Sequence, residues 1–170
     1  MTNIQDKQRI RSITLNGIML AVIIALQVVN LPNILTGIIV NSILVFVSLF
    51  SGLKSAVVLC LLSPFCGFIT GHVPMVMYPV LPMIALGNSL LVFVLSKLVK
   101  KNIFLQLLIP AFIKAVVIGI GGLILLHIFL PGELTKFIWF SVLGIQFFTA
   151  VPGIFIGIKL ADRCSKSLNS

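Results

Sequence analysis

The chain has 170 residues, 59% of them hydrophobic and only 9% charged, with a mean hydropathy of +1.25. A water-soluble domain of this length needs a far more polar surface, so the composition points to a bilayer as the solvent. Twelve basic residues against three acidic ones give a net charge of +9. The basic residues gather at the ends of apolar segments, which makes them topology signals and gives no reason to expect a nucleic-acid partner.

A membrane helix needs about 20 apolar residues. The N-terminal run MTNIQDKQRIRS leads into a first apolar segment over about 13–31, closed by Asn30, Pro32 and Asn33. That segment is longer than the apolar part of a signal peptide and lacks a small-residue cleavage site, so it reads as a retained helix. A second span covers about 37–52, ending at Ser51-Gly52, and a third about 54–70 with Pro64 inside. The fourth covers about 82–98, the fifth about 104–129 and the sixth about 137–160. With both termini cytoplasmic, the inner side holds Lys7, Arg9, Arg11, Lys54, Lys97, Lys100, Lys101, Lys159, Arg163 and Lys166, while the outer side holds Lys136. This asymmetry supports six helices with both ends inside. The expectation is an all-α membrane protein forming a single domain over residues 1–170.

Between spans three and four lies TGHVPMVMYPVLP, residues 70–82, with three prolines and no charged side chain. Proline stiffens a loop and favours extended backbone before it. Two readings stand: a lid over an outward-facing cavity, or an interfacial segment anchored by Tyr78.

Polar side chains within spans are few, and such groups face a cavity or a partner. Asn41 lies about one turn into span two, Asn88 in the outer half of span four, Lys114 near the middle of span five and Gln146 near the middle of span six. His127 ends span five, and His72 and Tyr78 belong to the loop. Helix–helix hydrogen bonding is the plain alternative for each amide. No carboxylate lies in any span to pair with Lys114. Lys114 must therefore snorkel to the inner face, lose its proton, bind backbone carbonyls or meet an anionic ligand.

The same lack of intramembrane acids argues against a proton- or sodium-driven transporter. No Walker motif, catalytic pair or cofactor motif is visible, so no enzyme activity and no cofactor are expected. Cys60, Cys66, Cys164 and the two histidines make no metal-binding spacing. Two small-residue stripes at helical spacing remain, Gly17, Ala21 and Ala25 in span one and Gly153, Gly157 and Ala161 in span six. Either can serve internal packing or the docking of a partner helix.

Six spans in about 170 residues, the basic N-terminus, the Ala21 and Ala25 stripe and the apolar loop between spans three and four together resemble the substrate-binding S component of energy-coupling factor (ECF) transporters. The stretches LTGIIVNSILVFVSLFSG and LSPFCGFITGHVPMVMYPVLPMIALGNSLLVF resemble the smaller S components most. The resemblance implies an S-component-like bundle in a bacterial plasma membrane. It implies high-affinity capture of a vitamin-like micronutrient at the outer face. Uptake would be driven by ATP through partners, a membrane T component with two cytoplasmic ABC ATPases. Gly17, Ala21 and Ala25 would then contact the T component, and residues 31–36, 70–81 and 130–136 would gate the pocket. No histidine-rich N-terminal metal site is present, which argues against nickel or cobalt as the substrate. The candidate site comprises Asn41, His72, Tyr78, Asn88, Lys114 and Gln146, with Met75 and Met77 in the roof. Amides suit the edge of a heterocycle, an aromatic ring and methionines its face, and Lys114 an anion. The alternatives are an accessory subunit without a small-molecule ligand and a homodimeric secondary transporter.

Overall fold

Turn chemistry and apolar length divide the chain into helices. The computed structural model describes residues 2–129 and 134–169, with side chains left undescribed at 134–143 and at both termini. The described residues form α1 (Thr2–Val28), α2 (Asn33–Phe50), α3 (Leu53–Ile69), a 3-10 helix (Met75–Val80), α4 (Leu81–Leu98), α5 (Ile103–Phe129) and α6 (Leu134–Asn169). Stretches within α1, α2, α5 and α6, and the 3-10 helix continued by α4, are long and apolar enough to cross a membrane. The helix α3 is apolar but shorter, at 17 residues. Gly52, at φ 95°, separates α2 from α3, a conformation that glycine adopts without the steric cost of a Cβ.

Side-chain contacts fix the relative directions. Ser12 Oγ meets Ser55 Oγ, and Gln27 reaches the Ser63 carbonyl further along both helices, so α1 and α3 run parallel. Gly37 faces Thr149, Gly153 faces Asn41, and Gly157 faces Val45, so α2 and α6 also run parallel. Gly87 faces Ile118 while Gly121 faces Met83, so α4 and α5 run antiparallel. The helices pack as a ring in the order α2, α6, α5, α4, α3, with α1 outside against α3 and α2.

The α2–α6 seam is the closest. A Cβ on Gly153 would lie 2.5 Å from Asn41 Cβ, and one on Gly157 would lie 2.7 Å from both the Ser42 carbonyl oxygen and Val45 Cβ. The stripe Gly153, Gly157, Ala161 is therefore used inside the molecule: the two glycines are the contact with α2, and Ala161 is buried. The stripe on α1 differs, since Gly17, Ala21 and Ala25 are all exposed.

One half of the ring is filled with hydrocarbon, including Leu44, Val47, Leu59, Leu91, Leu95 and Ile154. It lies toward the end that carries Arg11, Lys54 and the Lys97–Lys101 cluster. Arg11 there rests 5.6 Å from the centre of the Phe50 ring. The other half, toward the start of α2 and α4, holds the polar side chains.

Residues 70–82 depart from the extended loop expected. After a turn at Thr70–Gly71 they wind into the 3-10 helix, and Leu81, directly before Pro82, is helical at φ −51°, ψ −45°. Pro82 falls in the first turn of α4, where backbone N–H groups lack helical partners, so its missing donor costs no hydrogen bond. The start of α2 also moves. It begins at Asn33, which places Asn41 two turns into the helix and turns most of the expected 31–36 loop into helix. Residues 130–133 of the third expected gate lie outside the described residues.

Candidate ligand-binding site

The polar half of the ring lines an open cavity of about 380 Å³, within the range of small-molecule sites. All six α-helices and the segment 72–77 contribute to its wall. Of the six candidate residues, Asn41, His72, Asn88, Lys114 and Gln146 line it together. They come from α2, the loop, α4, α5 and α6, so the fold gathers side chains that lie up to 105 positions apart in sequence.

Lys114 does not snorkel. It is 2% exposed, and its Nζ donates to Asn41 Oδ1 at 2.5 Å across the ring. This bond also orients the amide, leaving Asn41 Nδ2 as its donor. Gly87 lets α4 pack close to α5 one residue before Asn88, with Ile118 and the Lys114 carbonyl filling the space a side chain would need. Asn88 is buried, and its Oδ1 has no hydrogen-bond partner among the described residues.

His72 forms part of the wall from the loop and lies 3.2 Å, Nδ1 to Oδ1, from Asn30 in the α1–α2 turn. Partial burial holds its pKa below the ordinary value. Thr149 lines the cavity too, but its hydroxyl donates to the Ile145 carbonyl one turn back, at 2.8 Å.

Tyr78 is not in this wall. It is exposed, and its ring packs on Phe68 of α3 with centres 5.2 Å apart. The period of about three residues per turn in a 3-10 helix explains this. Met75 and Tyr78 share the outer face, Met75 being 85% exposed, while Met77 and Val80 turn inward. His127, at the end of α5, is exposed and outside the wall.

Gln27 and Ser63 are among the lining residues that were not picked out from sequence, and each has a buried atom without a partner among the described residues. Gln27, in the last turn of α1, is buried and donates from Nε2 to the Ser63 carbonyl oxygen at 3.1 Å. Ser63 precedes Pro64 in α3, and its hydroxyl is buried without a partner among the described residues. The signal for Gln27 was present, since an amide in an apolar helix is costly unless it faces polar surroundings. Ser63 gave no such signal, because serine in an apolar helix can bond its own backbone.

No protein-family model matches the chain, and neither a curated protein nor a solved structure matches it.

Proposed function

We propose that the chain is the substrate-binding subunit of an ECF-type transporter, spanning a bacterial plasma membrane six times with both termini cytoplasmic. It captures a small vitamin-like molecule at the outer face. A membrane T component and two ABC ATPases supply the work of uptake, so this chain itself has no catalytic step. The observation that carries the reading is the cavity of about 380 Å³ with Asn41, Asn88, Lys114 and Gln146 in its wall. An accessory subunit would be expected to satisfy those groups against one another in a filled core, not to keep an amide oxygen unpartnered beside a cavity.

Charge supports the orientation. The loop end lacks described basic side chains apart from the buried Lys114, whereas exposed Arg9, Arg11, Lys54, Lys97, Lys100, Lys101, Lys159, Arg163 and Lys166 mark the other end. The cavity would then open outward. In this reading α3 spans despite its length, at ~1.5 Å per residue, because the polar turn after it continues into the 3-10 helix. The exposed Gly17, Ala21 and Ala25 face serves the T component.

The test is mild affinity purification of the full chain from the membranes of its own host. The expected result is co-purification of a polytopic membrane protein and two ABC ATPases, lost in Ala21→Leu while the isolated subunit stays folded. A chain recovered alone or as a homodimer contradicts the reading.

A further inference from the structure

Two hydrogen bonds made by buried polar side chains lie in the cavity wall, one to a side chain and one to a backbone carbonyl. Lys114 and Asn41 join α5 to α2. Gln27 and Ser63 join α1 to α3. Helices α1 and α3 pack on each other, while α5 packs on α4, α6 and the 3-10 helix. Asn88 lies on α4, which touches both α3 and α5.

The lining groups offer opposite chemistry. At the Lys114–Asn41 pair the carbonyl of the Asn41 amide is already engaged, so what remains for a ligand is the Lys114 amine and the amide N–H donors. No carboxylate lines the cavity among the described residues. Asp6 and Asp162 are exposed near the termini, and Glu133 lies outside the described residues. With only a neutral amide beside it, Lys114 gains most from an anionic ligand group, which would hold it as an ammonium. Elsewhere in the wall Gln27 Oε1, Ser63 Oγ and Asn88 Oδ1 are buried and have no hydrogen-bond partner among the described residues. Their residues are 5%, 2% and 4% exposed. The two amide oxygens can only accept, so they favour a ligand that brings N–H or O–H groups.

Granted that the chain binds a small molecule, as proposed above, we infer that its ligand is a small anion with a neutral, donor-bearing body. The acidic group meets Lys114 and Asn41. The N–H or O–H groups meet Gln27, Ser63 and Asn88, which makes Gln27 and Ser63 specificity-determining residues. A carboxylate and a phosphate can each supply the acid.

The test uses the full chain in lipid nanodiscs and thermal unfolding with probes matched in shape and differing in charge. The pairs are nicotinate with nicotinamide, pantothenate with pantothenol, biotin with biotinamide, and pyridoxal phosphate with pyridoxal, each at about 1 mM. At least one acid is expected to raise Tm, with its neutral partner binding about tenfold to a hundredfold more weakly, as loss of a charged hydrogen bond implies. Lys114→Met erases that difference, whereas Gln27→Leu weakens acid and neutral partner alike. Whether a carboxylate or the phosphate is preferred identifies the acid. A neutral partner that binds as well as its acid overturns the inference while leaving the binding-subunit reading in place. If none of the probes shifts Tm, both fall. The wild-type comparison stands even if a variant does not fold.

Discussion

Replacing Gly153 by alanine puts a Cβ 2.5 Å from Asn41 Cβ and 2.9 Å from the Ile38 carbonyl oxygen. Non-bonded carbon atoms pack at about 3.5 Å or more, so α2 and α6 must part by about 1 Å at this level. One of the two obstacles is backbone, which cannot rotate away as a side chain can. Overpacking of this kind costs about 1–3 kcal/mol. The substitution also returns up to about 1 kcal/mol of helix propensity, which blurs its sign. Gly17→Ala supplies the control: that position is exposed on α1, and an added Cβ meets nothing within 4 Å. The difference between the two variants isolates the clash and should be about 1–3 kcal/mol in favour of Gly17→Ala. Far-UV circular dichroism during a denaturing-detergent titration in mixed micelles measures both. Equal stabilities would refute the α2–α6 packing described. The same displacement would carry Asn41 away from Lys114, so ligand affinity should fall in Gly153→Ala and stay unchanged in Gly17→Ala.

Three further outcomes are expected. Because burial lowers the His72 pKa from 6.5, the unfolded chain takes up this proton first as pH falls. Stability from this group is therefore full above 6.5 and declines below it; between about pH 7 and pH 5.5, Tm should fall further in wild type than in His72→Gln, and equal falls would contradict the burial of the ring. Tyr78→Ala should leave ligand affinity unchanged and cost about 0.5–1.5 kcal/mol through the Phe68 contact; a binding defect with unchanged stability, read by calorimetry and unfolding, would put the ring back in the site. Cys164 is exposed near the end of α6 and Cys60 is buried. A membrane-impermeant maleimide should label Cys164 in inverted vesicles alone, and label Cys60 only after denaturation; labelling of Cys164 in right-side-out vesicles would contradict a cytoplasmic C-terminus.

The helices were legible because their limits have simple causes. Apolar length and terminal charge place α4 and α5 to within a residue, and Ser51-Gly52 separates α2 from α3 because glycine tolerates the positive φ required there. The polar wall was legible for a related reason: Asn41, Asn88, Lys114 and Gln146 interrupt otherwise apolar spans, where polar groups carry a cost. Sequence could not show that they converge, because convergence depends on the ring order and on the parallel register of α2 and α6. It failed at Tyr78 because an extended loop and a 3-10 helix direct the same side chains differently. It passed over Gln27 although that amide falls within the first expected span, over about 13–31, where a polar group carries a cost. The two small-residue stripes are alike in sequence, yet one is buried against α2 and the other is exposed; only tertiary packing separates them.

The most direct measurement is native mass spectrometry of the protein purified gently from its own host, with identification of any small molecule it retains. The account predicts one bound anionic metabolite, present in wild type and lost in both Asn88→Ala and Lys114→Ala. A wild-type protein that carries no ligand and takes none from a panel of vitamins would contradict it.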